Sequence, residues 1–175
     1  MPELIRRDQK KAFWGIPGTE EGNVTFKRMK YFTDMSGSKN PTEYSRRYVD
    51  EKGERTDVTG YSESWGFSFD EYNGDTVLED VVEIIDNNKL GSDAHRDIVF
   101  VNFSKQSGGG YVACKQTFAV IADSEGGSTD AYTYSGNLKA VGDKVWGVAS
   151  IAKPTDGDVD NVEEITFSEN SVAME

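Results

Sequence analysis

One stretch of the chain has the residue types and spacing of a catalytic loop. His95-Arg96-Asp97 is followed by Asn102, which matches the protein-kinase pattern H-R-D-x-x-x-x-N, where the Asp acts as base and the Asn holds magnesium. The only V-A-x-K, Val112–Lys115, comes after this stretch, no glycine-rich loop precedes it, and D-F-G is missing. Because such a motif needs its structural context, we interpret residues 98–102 as part of a β-strand.

The chain contains one histidine, His95, and one cysteine, Cys114. Any Ser-His-Asp or Cys-His arrangement would depend on His95, which lies between Asp93 and Asp97 in a charged segment. One Cys and one His cannot furnish an ordinary structural zinc site, and a single Cys excludes an intramolecular disulfide. We expect a surface histidine and an inert, buried cysteine.

The acidic run Asp156-Gly-Asp158-Val-Asp160 imitates the start of a calcium loop. An EF-hand loop has Gly at its sixth position and Glu at its twelfth, where this chain has Asn161 and Phe167. Weak divalent binding stays open, but a solvated acidic tail is the preferred interpretation. The three glycines at 108–110 lack the spacing and flanking elements of a dinucleotide site or P-loop. We therefore predict that the protein is not an enzyme and has no catalytic, cofactor-binding or metal-binding residue.

Net charge argues against a nucleic-acid reader. The 175 residues carry a formal charge of −12, and phosphate binding depends mainly on Lys and Arg. The first 14 residues are charged and contain no apolar run, so we expect no membrane span and synthesis in a cytoplasm. The length predicts one domain, residues 1–153, followed by an acidic tail, 154–175, in which Ile165 and Phe167 offer at most a short edge strand.

Alternation of apolar and polar residues predicts a mainly β fold. It is clearest in Ser64–Asp70, where Trp65, Phe67 and Phe69 share one face. Ile98–Phe103 is apolar at nearly every position, which is typical of a central strand covered on both faces. Further strands are predicted at Tyr111–Ala122 and in a hairpin of Ala131–Ala140 with Lys144–Ile151.

One helix is predicted, at about residues 75–90. Its apolar stripe includes Val77, Val81 and Ile84, Asp75 can cap its start, and Asn88 or Gly91 can end it. The polar segment Met35–Arg55 is predicted to be a long loop or an extended hairpin, and segments of this kind are usually functional.

Several strings, in this order, resemble the major tail proteins (tail tube proteins) of long-tailed, siphovirus-type bacteriophages. The resemblance covers about residues 24–151, and it rests on the order of strings that are individually unspecific. They are Asp57–Ser62, Phe67–Asp70, Asn73–Asp75, Ile84–Asp86, Gly91–Ala94 and Tyr134–Gly147.

The resemblance implies two packed antiparallel sheets, sandwich-like or barrel-like, with a flanking helix and a long loop. It implies a structural, self-assembling virion protein: homohexameric rings that stack into a tail tube, the conduit for DNA ejection. Its partners would be further copies of itself and other tail proteins such as the tape measure and terminator, with no cofactor and no membrane. DNA would pass through the lumen without specific binding, and lumenal carboxylates would repel its phosphates.

Five residues are the candidates for subunit contacts. Tyr44, Arg46 and Arg47 lie in the segment that resembles, by position, the loop extended to neighbouring rings, and Arg and Tyr are enriched at interfaces. A mobile solvent loop is the alternative. Phe13 and Trp14 lie outside an evident strand and form either a partner contact or part of the core.

Two other functions stay open. One is the tube protein of a contractile injection or secretion system. The other is a monomeric β-sandwich that binds a ligand, with exposed aromatics such as Trp146 as its platform.

Overall fold

The structure is a computed structural model that describes residues 1–151 and 162–169. Over these residues the chain forms eleven β-strands, one α-helix and two short 3-10 helices. The strands are β1 (Lys10–Pro17), β2 (Val24–Arg28), β3 (Phe32–Ser38), β4 (Pro41–Arg46), β5 (Arg55–Tyr61), β6 (Ser64–Asp70), β7 (His95–Ser107), β8 (Gly110–Glu125), β9 (Thr133–Ala140), β10 (Val145–Ile151) and β11 (Glu164–Glu169). The α-helix, α1, is Thr76–Asp86, and the 3-10 helices are Arg7–Gln9 and Gly91–Ala94.

Six strands close into a barrel, in the order β8, β10, β11, β2, β1 and β7, with β7 pairing back onto β8. β8 continues beyond the barrel and forms a second sheet with β9, β6 and β3, here called the open sheet. β4 and β5 pair only with each other among the described strands. The predicted mainly β fold, with antiparallel sheets and one helix, is confirmed.

The C-terminal strand differs from its prediction. We expected at most a short edge strand around Ile165, but β11 pairs with β10 on one side and with β2 on the other. Ile165 is 3% exposed and packs in the barrel core with Val162. The prediction of an edge strand was wrong. Val162 and Ile165 are buried, but the acidic residues beside them make the local sequence typical of an exposed segment. The division of the chain at residue 153 stays a prediction.

The predicted hairpin of Ala131–Ala140 with Lys144–Ile151 is also wrong. β9 and β10 do not pair with each other among the described strands; both pair with β8, end to end along the same edge. β8 has 16 residues, enough to hold two strands in tandem. The connection crosses from one sheet to the other, held by Val141 N donating to Thr117 O at 2.9 Å and Gln116 Nε2 donating to Gly142 O at 2.9 Å.

The two faces of β7 are buried in two different cores. Val99, Val101 and Phe103 point into the barrel, while Ile98 and Phe100 pack in a second core between the barrel wall, the open sheet and α1. The nearly continuous apolar sequence of this strand follows from burial on both sides. The prediction of a central strand covered on both faces is confirmed.

Helix α1 covers the second core. Asp75 caps its first turn, because one carboxylate oxygen accepts from the backbone N–H groups of Val77 and Leu78 at 3.0 and 3.1 Å. Beyond its last turn, Asn88 has a φ of +50°, a left-handed conformation that stops the helix and that Asn tolerates well. Both predicted end signals are therefore used, and the stripe centred on Val77, Val81 and Ile84 is buried.

Candidate assembly surface

A two-stranded ribbon, residues 41–61, projects from the body of the molecule; it is called the arm below. Every residue of β4 is exposed, and so is every residue of β5 except Gly60. An isolated hairpin of this kind is marginally stable in water. Cross-strand bonds reinforce it: the hydroxyls of Ser45 and Thr56 are 2.9 Å apart, and Thr59 Oγ1 donates to Thr42 O at 3.2 Å. The segment Met35–Arg55, predicted to be a long loop or an extended hairpin, contains the end of β3, all of β4 and the turn of the arm. The hairpin alternative is therefore favoured, but the hairpin is shifted towards the C-terminus and ends at Tyr61.

The root of the arm is fixed by one asparagine. Asn40 has a φ of +46° and turns the chain from β3 into the arm. Its side-chain Nδ2 donates to Ser62 O at 3.0 Å and to Ser64 Oγ at 3.1 Å. Its backbone carbonyl accepts from Ser62 N at 3.2 Å. These bonds join the two ends of the arm where it leaves the open sheet.

A carboxylate braces the same root from the side. Glu63 accepts from Lys39 and, at 2.9 Å, from Lys144 Nζ, which lies at the connection between β9 and β10. Burial by itself would raise the pKa of Glu63, but hydrogen bonds and ion pairs with these two lysines hold it below its ordinary value. The brace ties the arm to the point where the two sheets meet.

One face of the arm, the Arg–Tyr face, is built from Tyr44, Arg46, Tyr48 and Arg55. Arg46 lies directly opposite Arg55 in the β4–β5 register, an unfavourable like-charge pair. Arg55 is neutralised by Glu51 and lies 5.8 Å from the centre of the Tyr48 ring. Arg46 Nη1 donates only to Tyr44 Oη, at 2.8 Å. In the described part of the chain neither Arg46 nor Arg47 forms an ion pair, so both cations are available to another molecule.

The structure separates the five residues predicted for subunit contacts into two groups. Tyr44 and Arg46 contact each other on the Arg–Tyr face, and Arg47 follows them, fully on the surface. Phe13 and Trp14 lie in β1 and are 0% and 1% exposed, one in the barrel core and the other in the second core. Their burial favours the core alternative, because a buried side chain offers no contact to another subunit.

Three tyrosines at the opposite end of the open sheet were not singled out from the sequence. Tyr31 and Tyr72 stack with ring centres 4.2 Å apart, and both are about half exposed, as is Tyr132. They come from the loops before β3, after β6 and before β9. No local pattern could find them, because only the pairing of these strands brings the three loops together.

The kinase-like string has no catalytic geometry. All eight residues from His95 to Asn102 lie in the single strand β7. Arg96 binds Asp80 of α1, Asp97 accepts from Thr117, and Asn102 accepts from Ser104. Burial raises the pKa of the Cys114 thiol, which disfavours the reactive thiolate.

The structure describes no metal site or membrane span. Among the residues described, no three His, Cys, Asp or Glu side chains are arranged to hold a metal ion. The run Asp156–Asp160 lies outside the described residues. None of the helices in the described ranges is long and apolar enough to cross a bilayer.

No protein-family model matches this sequence, and no curated protein is similar to it. Solved structures do match its fold. The SPP1 tail tube, determined by solid-state NMR and cryo-EM, matches with a TM-score of 0.53 and 14% identity over 83% of this chain and 80% of that chain. A chain of the anti-feeding prophage baseplate matches with a TM-score of 0.46 and 10% identity over 83% of this chain and 95% of that chain. The likeness to the SPP1 tail tube shows a shared fold.

Proposed function

We propose that this chain is the major tail protein of a long-tailed bacteriophage, a structural subunit that assembles into stacked rings to form the tail tube. The observation that carries the proposal is the arm, residues 41–61, in whose two strands every residue except Gly60 is exposed. Such a ribbon is costly to order in water unless a partner covers it. A second copy of the same chain is the partner that a self-assembling tube supplies.

The edges of the open sheet support self-association. β3 pairs only with β6, and past Ala119 β8 pairs only with β9 among the described strands. Unpaired edge strands present rows of backbone donors and acceptors that can pair with another chain. Lateral pairing of these two edges would join neighbouring subunits within a ring.

The outward face of the open sheet, here called the polar face, fits the wall of a DNA conduit. It carries small, mostly uncharged side chains opposite the buried face of Phe67 and Phe69. On β3, β6 and β9 its residues are Asp34, Ser36, Ser38, Ser64, Gly66, Ser68, Asp70, Thr133, Ser135, Asn137 and Lys139, and β8 adds Ala119, Ile121 and Ser124. Two Asp and one Lys leave this face with fewer carboxylates than the repelling lumen expected from the sequence. DNA would pass without adhering mainly because the face offers its phosphates a single cation.

In this proposal the rings are six-fold, by analogy with tail tubes, and the protein is located in the virion tail after synthesis in the host cytoplasm. Further tail proteins, the tape measure and the terminator, would contact the tube, and no catalytic step is required of the subunit. The SPP1 tail tube supports the proposal through its fold.

The first test is negative-stain electron microscopy of concentrated purified protein. Wild type should form rings or tubes, and a variant in which residues 41–61 are replaced by Gly-Gly should not polymerise. The replacement should leave the body folded, because Asn40 O and Ser62 N are already hydrogen-bonded across the gap. Circular dichroism and the melting temperature check the fold.

Matched point variants separate the two faces of the arm. Tyr44→Ser with Arg46→Ser removes the Arg–Tyr face and should block polymerisation, whereas Glu43→Ser with Val58→Ser alters the other face and should not. Normal tubes from the armless protein would contradict the role of the arm. A wild-type protein that stays monomeric and binds sugar would instead favour the ligand-binding module.

A further inference from the structure

A recess of about 200 Å³ lies beside the first turns of α1 and is called the Tyr72 recess. Leu78 and Val82 contribute apolar lining, and Tyr72 contributes an aromatic surface. The rest of the lining is polar: Asn73 and the three carboxylates of Glu71, Glu79 and Glu83. An apolar surface, an aromatic ring and carboxylates together suit a side chain with an alkyl stem and a cationic head, which is the chemistry of arginine or lysine.

The aromatic ring of the recess is held in place and stays half exposed. Tyr72 stacks on Tyr31, whose carbonyl accepts from Asp70 N at 3.4 Å. The two rings are 50% and 48% exposed in the single chain. Large, rigid aromatic surfaces of this kind are typical of the central contacts in protein interfaces.

The surroundings of the recess are electrostatically negative. Burial is the main cause that raises the pKa of Tyr134, and the nearby carboxylates of Glu71 and Asp86 raise it further. A hydrogen bond to Glu125 is the main cause that raises the pKa of Tyr132. Glu83 is paired with Lys89, at 3.3 Å, but Glu71 forms no ion pair with any described residue. A cation entering from another molecule would therefore be attracted.

The arm carries cations that match this recess. Arg46 and Arg47 are consecutive and exposed, and neither forms an ion pair with a described residue. A carboxylate-lined recess on another molecule would neutralise them. Tyr44, which accepts from Arg46, would enter with them as an aromatic contact.

Recess and arm lie at opposite ends of the same strand. The arm ends at Tyr61, just before β6, and the recess begins at Glu71, just after it. The seven residues of β6 separate the two by about 23 Å at the usual rise of a strand. A contact between the arm of one copy and the recess of the next is head-to-tail, and because the two surfaces lie at opposite ends of the subunit, such contacts can repeat as an open stack.

We infer that the Arg46–Arg47 corner of the arm docks in the Tyr72 recess of a second copy of this chain and so sets the axial contact between stacked subunits. The inference rests on the proposed function and deepens it, since it names the surface that receives the arm. Glu71 and Glu79 bind the guanidinium groups, and Tyr72 packs against their planes.

Charge reversal tests the docking. Arg46→Glu with Arg47→Glu, and separately Glu71→Lys with Glu79→Lys, should each weaken axial assembly at least about tenfold. The chain with all four substitutions should recover assembly, because the ion pairs are restored with opposite polarity. The readouts are sedimentation velocity and the length of particles in negative-stain images, with melting temperatures as the fold control.

Net charge supplies an internal control. The two Glu→Lys substitutions reduce the negative charge of the chain, so general repulsion predicts better assembly and docking predicts worse assembly. Glu79 also accepts from Gly74 N at 3.1 Å, so Glu71→Lys alone is the second variant if the double variant unfolds. Either reversal assembling like wild type, or no recovery in the fourfold variant, would overturn the docking.

A cross-link separates failure of the docking from failure of the proposed function. In a Cys114→Ser background, a chain with Arg47→Cys and Glu79→Cys should form a reducible ladder of dimers and larger species on oxidation. Monomers alone would overturn the docking even if wild type forms tubes. Wild type that forms no ring or tube contradicts the proposed function, whatever the ladder shows.

Discussion

At the scale of single residues, Asp80 connects the helix to the barrel. One carboxylate receives two bonds from Arg96 of β7, from Nε at 2.8 Å and from Nη2 at 3.2 Å, and a third from Trp14 Nε1 of β1 at 2.7 Å. The side chains of Arg96 and Asp80 are only 10% and 12% exposed. Removing one partner of such a pair leaves a charge without compensation in a poorly hydrated place.

Asp80→Ala should therefore lower the free energy of unfolding by about 3 kcal/mol or more. Glu83→Ala is the matched control on the same helix, because its pair with Lys89 is exposed and should change stability by less than about 1 kcal/mol. Urea unfolding followed by tryptophan fluorescence, at a concentration where the protein is monomeric, measures both. Equal losses in the two variants would show that Arg96 does not depend on Asp80.

At the scale of elements, β11 closes the barrel. It fills the gap between β10 and β2, and the ring of Phe167 packs against Gly147 of β10, where any side chain at position 147 would collide with it. Val162, just before the strand, is 1% exposed in the same core. A barrel without this strand would expose two edges and part of its interior.

Ile165→Ala should destabilise the protein by about 2–5 kcal/mol, the usual cost of truncating a buried Ile. The neighbouring Thr166 is exposed on the same strand, so Thr166→Ala should stay within about 0.5 kcal/mol of wild type. Chemical denaturation of both variants measures the difference. A mild effect of Ile165→Ala would mean that the barrel does not need β11.

At the scale of the whole molecule, separate surfaces serve the lateral contacts, the lumen and the axial contacts of the tube subunit that we propose. The open sheet offers two edges for lateral contacts, and its polar face carries little charge. The arm and the Tyr72 recess lie at opposite ends and offer axial contacts. The formal charge of −12 is distributed away from the polar face, which keeps two carboxylates and one lysine.

A conduit proposed to pass DNA should be sensitive to cations on the polar face. Asp34→Lys with Asn137→Lys places two exposed lysines there, and assembled tubes should then retain duplex DNA in a salt-dependent manner. Thr19→Lys with Glu20→Lys makes the same charge change in the exposed β1–β2 turn and is the control. Co-sedimentation of DNA with tubes, and DNA delivery by phage that carry the variants, are the measurements. Equal DNA retention by the two variants, or unchanged delivery, contradicts a lumenal polar face.

The sequence by itself determined the parts of the fold that contiguous residues encode. Alternation located β6, the apolar stripe located α1, and Asp75 and Asn88 marked its ends. The prediction that the chain has no catalytic set likewise rests on sequence motifs and stays a prediction. Each of these patterns involves residues close together in sequence, within one strand or a few helical turns. They can therefore be recognised without knowing which other element the strand or helix packs against.

Which strands pair with each other follows from long-range contacts. The choice of β8 as a common partner for β9 and β10, and of β10 and β2 as partners for β11, depends on contacts that are distant in sequence. Phe13 and Trp14 were candidates for subunit contacts because β1 shows no alternation; it lies between two cores and buries both faces. The Tyr72 recess is lined by residues 71–83, which are close in sequence, but only the pairing of β3 with β6 brings Tyr31 against Tyr72 and fixes the ring of the recess.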